Sequence, residues 1–412
     1  MKVLMLTWEY PPRIVGGISR VVYNLAHMIG RKDIEIHVIT LWELGMYEVE
    51  KDGENVYIHR VHTYDIEAND FVDWVHHMNM AFVEYSIRVI NDFGKFDIIH
   101  AHDWIVSYAA KTIKHAYTIP LVATIHATEH GRNCGIYSDM QRYIHNKEWW
   151  ISYESWNLIV NSEYMKKEIQ EIFKVPNNKI NVIPNGVNVN KYDNVHLEKG
   201  FREKFAKDSE KIVFFVGRLV NEKGVHVLID AIPKVLHYYE NVKFIIAGKG
   251  PEFDNLKNKV KWNKVEEKVM FTGYVDDHEL NKMFKCADIS VFPSLYEPFG
   301  IVALEGIVAG TTLVISDTGG LGDIIDHGYD GMKSYTGNSN SFADSILSIL
   351  YNPDKAEKMK ARALKKVNDI YNWEIITEKT INVYREVLKE FKNSNWKVQD
   401  LKERFKEVEN RD

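Results

Sequence analysis

Short apolar runs that alternate with amphipathic stretches are the feature that most constrains the fold of this chain of 412 residues. Between the first two runs, GGISRVVYNLAHMIG (16–30) has helical spacing and ends at a glycine. Strand, helix and strand in repetition is typical of a parallel sheet with helices on both faces. The strand-like runs of the first half are KVLML (2–6), EIHVIT (35–40), YIHRVHT (57–63), FDIIHAH (96–102), PLVATIH (120–126), LIVNS (158–162) and INVIPNGV (180–187).

The same pattern starts again at residue 211. The second series comprises KIVFFVGRL (211–219), VKFIIAGKG (242–250), KVMFTGYV (268–275), ADISVFPS (287–294) and TTLVISD (311–317). Between the two series, the polar segment 188–210 has few candidate core residues and predicts a linker. We therefore predict an α/β protein with two doubly wound, Rossmann-like domains, 1–190 and 191–372, which face across a cleft. An amphipathic helix is expected from about 373.

Composition excludes several classes of protein. A net charge of −6, from 52 basic and 58 acidic residues, gives no electrostatic footprint for nucleic acid. Cys134 and Cys286 are too few for a disulfide scaffold or a cysteine-rich zinc site, which fits a reduced, cytoplasmic setting. No apolar run approaches the ~20 residues of a transmembrane segment, and the first residues lack a signal peptide.

Glycines and cations follow several of the predicted strands. Gly16 and Gly17 lie between a strand and a helix, where backbone amides favour an anion; a tight turn that needs positive φ is the alternative. In GRLVNEKG (217–224), Arg218 and Lys223 suit a diphosphate, and a surface ion pair with Glu222 is the alternative. ISDTGGLGD (315–323) is a second potential anion turn.

Polar side chains also follow neighbouring strands of the first domain, in HAHDW (100–104) and TIHATEHGR (124–132). We expect His102, Asp103, His126, Glu129 and Arg132 to share one region. A His-x-His sequence after a strand also occurs in metal hydrolases, so a metal site on the two histidines of HAHDW is an alternative, and a hydrogen-bonded structural histidine is the alternative for His126.

In EPFGIVALE (297–305), two acids flank a turn and an apolar helix. Glu297 is predicted in the loop and Glu305 inside the helix. Burial of Glu305 is costly without a partner, which indicates a ligand with hydroxyl groups.

Several motifs follow one another along the chain: the glycine pair, HAHDW, TIHATEHGR, IPNGV, GRL…KG, GKGP, FTGYV, EPFGIVALE and TGGLGD. In this order they resemble the motifs of the retaining nucleotide-sugar glycosyltransferases of family 4, the glycogen-synthase-like family. The resemblance covers the chain up to about residue 390. The resemblance implies a GT-B fold, with an acceptor-side domain (1–190), a donor-binding domain (191–372) and a C-terminal helix (373–412) that crosses back to the first domain.

The resemblance also implies the reaction, a hexosyl transfer without cofactor or metal. UDP-glucose or ADP-glucose is the expected donor, and the non-reducing end of an α-1,4-glucan is the expected acceptor. A lipid-linked or small-molecule acceptor is the alternative. Other classes that we weighed are a nucleotide-sugar epimerase, a metal-dependent hydrolase and an inactive relative.

Roles for individual residues follow from the resemblance alone. Gly17 matches the glycine that faces the donor diphosphate, Glu305 the acid that binds the ribose, and Glu297 the acid near the sugar hydroxyls. The implied donor-binding set is Gly16, Gly17, Arg218, Lys223, Glu297, Phe299, Gly300, Ile301 and Glu305. The implied catalytic set is His126, Asp103, Arg218, Lys223 and Glu297.

The sequence departs from the family pattern at two places. Ile14 and Val15 stand where bacterial glycogen synthases carry Lys-Thr, with Arg13 close by, and Asp323 stands where many relatives have Glu.

Overall fold

The computed structural model describes residues 1–64 and 66–396, and the chain divides into two compact units. The first unit comprises Met1–Val160, Ile169–Ile183 and the described chain from Thr377. The second comprises Asn161–Glu168 and Pro184–Ile376. The part of the predicted C-terminal helix (373–412) that follows residue 396 lies outside the described residues.

The sheet of the first unit has the strand order β3-β4-β2-β1-β5-β6-β7-β8 when its described strands are numbered along the chain. All neighbours are parallel except β3 and β4, which are antiparallel. The strands are β1 (Lys2–Leu6), β2 (Glu35–Leu41), β3 (Val49–Lys51), β4 (Val56–Val61), β5 (Ile98–His102), β6 (Leu121–Ile125), β7 (Asn157–Val160) and β8 (Ile180–Val182).

The sheet of the second unit is parallel throughout its described strands, in the order β11-β10-β9-β12-β13-β14. Its strands are β9 (Lys211–Val216), β10 (Val242–Ala247), β11 (Val269–Gly273), β12 (Ile289–Phe292), β13 (Thr312–Ser316) and β14 (Met332–Ser334).

Helices connect the strands of both sheets, and the division between the units falls within α6 and α13. The helices are α1 (Gly17–Gly30), α2 (Phe71–Phe93), α3 (Ser107–Tyr117), α4 (Glu129–Asn133), α5 (Asp139–Glu154), α6 (Glu163–Phe173), α7 (Val225–Tyr238), α8 (Phe253–Trp262), α9 (Asp277–Cys286), α10 (Ile301–Ala309), α11 (Ser339–Leu350), α12 (Pro353–Ile370) and α13 (Trp373–Asn393).

None of the described helices combines the length and the apolar character that crossing a membrane requires.

The two predicted doubly wound sheets are confirmed, because each predicted strand-like run contains a strand. Strand β9 shows why such runs are continuously apolar. Ile212 and Phe214 belong to one core cluster, whereas Val213 and Phe215 belong to another. Since alternate side chains of a strand point to opposite faces, both faces of this sheet are buried under helices.

The polar segment 188–210 is part of the second unit, and the prediction that it contributes few core residues is wrong. Tyr192, Phe201 and Phe205 are buried in the core cluster that contains Phe214. The segment is also fixed by backbone, since the Val187 amide donates to the Tyr371 carbonyl at 2.8 Å. Widely spaced aromatic residues in a charged stretch therefore supply the packing here.

Helix α13 contributes a buried tyrosine to the first unit. Tyr384 Oη lies 2.6 Å from His100 Nδ1, and Thr124 Oγ1 lies 2.7 Å from His100 Nε2. Burial lowers the pKa of His100 to about 3, so the imidazole is neutral at neutral pH. Each ring nitrogen of this buried histidine therefore has one hydrogen-bond partner.

We expect Tyr384→Phe to destabilise the protein by about 1–3 kcal/mol, because it leaves His100 Nδ1 buried without a partner. Urea denaturation followed by tryptophan fluorescence measures the shift. Tyr47→Phe is the matched control, because Tyr47 belongs to the same unit and is 78% exposed. Equal midpoints for the two variants would show that the hydroxyl of Tyr384 contributes nothing.

Candidate functional site

The turn between β1 and α1 places backbone amides around an internal carboxylate. Glu9 Oε2 accepts hydrogen bonds from the amides of Val15 at 2.8 Å and Gly16 at 2.9 Å. Burial raises the pKa of Glu9, and these two amides oppose the shift. The Gly16 amide is thus engaged within the chain, and the amides with no partner inside α1 begin at Gly17.

The conformation of this turn bears on the positive-φ interpretation of the glycine pair. Gly16 is the N-cap of α1 and is extended, with φ −150°. A left-handed turn is therefore not the reason for a glycine at this position. The sequence analysis did not single out Glu9, although an acid that closely follows a buried strand is a usable signal.

Asp103 follows β5 in a conformation that side chains rarely adopt. Its φ is 62° and its ψ is 174°, a region used almost only by glycine and costing about 1–3 kcal/mol. Asp103 Oδ1 accepts the His126 amide at 2.8 Å, and the Asp103 amide donates to the Thr124 carbonyl at 2.9 Å. The strained residue therefore ties the end of β5 to the end of β6.

His126 is stacked on a second buried histidine. Its Nε2 lies 3.2 Å from His102 Nδ1, and the rings are 5.5 Å apart at an interplanar angle of 21°. Burial lowers the pKa of His126, and the Asp103 carboxylate opposes this shift. The imidazole is therefore neutral at neutral pH and suited to hydrogen bonding with a hydroxyl group.

The region after β5 and β6, where the sequence predicts a cluster of polar side chains, also contains an acid that was not predicted. Glu148 of α5 is buried, and its Oε1 accepts the Glu129 amide at 2.8 Å, at the start of α4. Burial raises the pKa of Glu148 well above its usual value, although the nearby Arg132 opposes this. Arg132 itself lies 3.6 Å from Glu129. Glu148 thus fixes the loop that follows His126.

Among residues 1–64 and 66–396, no group of three or more His, Cys, Asp or Glu side chains is placed to hold a metal ion. Of the two histidines that the hydrolase interpretation would use, His100 bonds Tyr384 and Thr124, and His102 bonds His126.

In the second unit, the loop after β9 carries the predicted pair of cations. Arg218 is 65% exposed in its side chain and lies 3.7 Å from Glu222, which is the ion pair considered as the alternative to ligand binding. Lys223 lies 2.6 Å from Glu297 Oε2. Lys223 and Glu297 are therefore brought together, while Arg218 extends into solvent from the same loop.

Close backbone packing holds the loop after β9 against the loop after β12. Gly224 has φ 64°, and a Cβ atom there would lie 1.9 Å from the Pro293 carbonyl oxygen. The Leu295 amide donates to the Glu222 carbonyl at 2.8 Å. These contacts place Lys223 and Glu297 at one edge of the sheet.

Helix α10 starts where the sequence predicts. Gly300 is its N-cap with φ 103°, and Phe299 is buried against Tyr371 with ring centroids 5.9 Å apart. Ile301 opens the helix, so that its amide has no partner within α10. The N-terminus of α10 thus presents backbone amides next to Glu297 in sequence.

Glu305 is 8% exposed in its side chain and pairs with Lys191, whose Nζ lies 2.6 Å from Glu305 Oε1. The inference that a buried Glu305 needs a partner is correct, but one partner is a lysine of the chain itself. Lys191 was not predicted, because it lies in the segment assigned to a linker.

The TGG turn after β13 supports the loop of Glu297. The Gly320 amide donates to the Glu297 carbonyl at 3.0 Å, and a Cβ atom on Gly319 would lie 2.1 Å from the same oxygen. The prediction of an anion turn is wrong for the Gly320 amide, because this amide is engaged by Glu297.

Comparisons with known proteins show the family of this chain. A family model described as "Glycosyl transferases group 1" matches residues 198–366, and one described as "Glycosyltransferase Family 4" matches residues 15–191. An uncharacterized glycosyltransferase of Methanocaldococcus jannaschii is 40% identical over 392 residues, which cover 93% of this chain and 98% of that protein.

A glycogen synthase of Mycobacterium tuberculosis is 31% identical over 397 residues, which cover 93% of this chain and 94% of that protein. Among solved structures, sucrose-phosphate synthase from Thermosynechococcus elongatus has a TM-score of 0.82 at 20% identity and covers 94% of this chain and 99% of that chain. The last similarity concerns the fold.

We expect Gly224→Ala to destabilise the second unit more than Gly328→Ala. Both glycines have positive φ, so each substitution costs about 1–2 kcal/mol of backbone strain. At Gly224 the new Cβ atom would collide with backbone, whereas a Cβ atom on Gly328 would have no other atom within 4 Å. Thermal unfolding measures the difference. Equal losses of stability in the two variants would mean that the loops after β9 and β12 can move apart without a cost in free energy.

Proposed function

The chain belongs to glycosyltransferase family 4 and has the GT-B fold, and we propose that it transfers a hexose from a nucleoside-diphosphate sugar to the non-reducing end of an α-1,4-glucan. Glucose is the first candidate for this hexose. The observation that carries the proposal is the contact of Lys223 with Glu297, at 2.6 Å, beside the exposed Arg218. These residues match the basic pair and the first acid of the family motif.

In the proposed reaction, negative charge develops on the departing nucleoside diphosphate. Lys223 and Arg218 supply positive charge, and the N-terminal amides of α10 supply aligned dipoles. This arrangement needs no divalent metal. The diphosphate takes the place of Glu297 as the partner of Lys223, so that Glu297 becomes available to the hydroxyls of the sugar.

The first unit is the proposed acceptor side. Its contributions are the amides of α1 from Gly17 onward, which face the diphosphate, and His126, whose neutral imidazole bonds a hydroxyl of the transferred sugar. Asp103 accepts the His126 amide and lies near the donor and the acceptor in this proposal. The backbone strain at Asp103 supports a functional role, because such strain persists mainly at functional sites.

We further propose that the configuration of the anomeric carbon is retained. The acceptor hydroxyl attacks from the side of the leaving group, and a phosphate oxygen takes its proton. A carboxylate nucleophile of the kind used by retaining glycosidases is therefore not required.

The glucan acceptor and the cytoplasmic setting complete the proposal. The similarity to a glycogen synthase over 94% of that protein supports a glucan, together with HAHDW and TGGLGD in this sequence. A lipid-linked or small-molecule acceptor is the second candidate, because Ile14 and Val15 replace the Lys-Thr of bacterial glycogen synthases.

We expect Lys223→Ala and Arg218→Ala each to lower turnover by about 100-fold or more, because each removes a cation from the developing charge. Lys261→Ala is the control, since Lys261 lies in the last turn of α8 and not in the loop that carries Arg218 and Lys223. Unfolding midpoints check that each variant is folded. Transfer at the wild-type rate in both variants would refute the assignment of the donor site.

Incubation with UDP-glucose, ADP-glucose and other donors, with and without glycogen or maltooligosaccharides, tests the acceptor. We expect nucleotide release that depends on glucan, and elongated chains whose new linkage is α by proton NMR. Release only with a different acceptor would refute the glucan, a β linkage would refute retention, and an epimerised donor without transfer would indicate a nucleotide-sugar epimerase.

A further inference from the structure

Lys191 is a lysine outside the family motif residues that contacts the second acid of EPFGIVALE. Its Nζ lies 2.6 Å from Glu305 Oε1, and the side chains are 21% and 8% exposed. Both residues belong to the second unit. The pair is therefore a largely buried contact between the segment before β9 and helix α10.

Both partners are held in place by their surroundings. Glu305 lies on α10 among buried neighbours, including Leu304 and Gly306. The Lys191 amide closes a turn on the Asn188 carbonyl at 3.1 Å, and the Lys191 ammonium lies 5.5 Å from the centroid of the Tyr192 ring. The position of the ammonium is therefore set by the fold, and it fixes one oxygen of the carboxylate.

Burial of a carboxylate is costly unless a cation or several hydrogen-bond donors lie beside it. An ionised carboxylate has about four acceptor positions, of which Lys191 takes one. Hydroxyl groups bond more strongly to an ionised carboxylate than to a neutral acceptor. The lysine thus sets the orientation in which the Glu305 carboxylate meets a pair of vicinal hydroxyls.

We propose that Lys191 is a positioning residue for the nucleotide: by pairing with Glu305, it holds this carboxylate oriented for the ribose hydroxyls of a nucleoside diphosphate. The inference rests on the proposed function, which assigns the ribose to Glu305. Lys191 acts through Glu305, so its loss affects recognition of the ribose more than recognition of the diphosphate.

The test compares ribonucleotides with 2′-deoxyribonucleotides in isothermal titration of the full chain. UDP, ADP and GDP and their 2′-deoxy forms are the probes. We expect the wild type to prefer the ribonucleotide form of the nucleotide that it binds. Lys191→Met should weaken binding of that form by about tenfold or more and bring the ratio of the two affinities towards one. Lys191→Arg should restore the ratio.

Lys268→Met is a matched control. Lys268 pairs with Glu210 at 3.2 Å, with side-chain exposures of 23% and 6%, and it precedes β11, at the amino end of the sheet. This variant should lose stability to a similar degree and keep the ribose preference. If Lys191 had only a structural role, Lys191→Met would give the same result as Lys268→Met, a loss of stability with an unchanged ribose preference.

The outcomes separate the two proposals. If the wild type binds a ribonucleotide preferentially and Lys191→Met leaves the ratio unchanged, the inference about Lys191 is wrong and the proposed function stands. If the wild type binds none of the probes, the proposed function fails and the inference fails with it. Should Lys191→Met not fold, Lys191→Gln and Lys191→Arg provide the same comparison, because only arginine retains the charge.

Discussion

The close approach of three loop backbones at the carboxyl ends of β9, β12 and β13 is the constraint on which the proposed donor site depends. A Cβ atom on Gly224 would lie 1.9 Å from the Pro293 oxygen, and one on Gly319 would lie 2.1 Å from the Glu297 oxygen. Only glycine permits such distances. Because the loops are joined through backbone, Lys223 and Glu297 are positioned by the fold before any ligand binds, which lowers the cost of ordering them on binding.

The ionic groups of the proposed site are neutralised within the chain. Lys223 pairs with Glu297, and Lys191 pairs with Glu305. A buried charge without a partner is costly, and each of these internal pairs offsets that cost in the unliganded protein. In the proposed reaction, binding of a diphosphate then exchanges one partner of Lys223 for another.

The sequence was sufficient for the two sheets, because strands buried on both faces are read directly from continuous apolar runs. It was insufficient for β3 and β14, whose residues VEK and MKS form no continuous apolar run. The segment 188–210 was misassigned because its buried aromatic residues are widely spaced. Motifs identified Lys223 and Glu305, whereas the contact of Lys191 with Glu305 joins residues 114 positions apart, and no local pattern encodes it.

The departure from glycogen synthases before Gly16 has a definite structural form. Ile14 and Val15, which replace Lys-Thr, are 49% and 50% exposed. Arg13 does not provide a free cation in their place, because it lies 2.5 Å from Glu43 and 5.4 Å from the centroid of the Trp8 ring. The turn therefore presents an apolar surface where bacterial glycogen synthases present a lysine. This apolar turn is the feature that keeps a lipid-linked or small-molecule acceptor as the second candidate beside the proposed glucan.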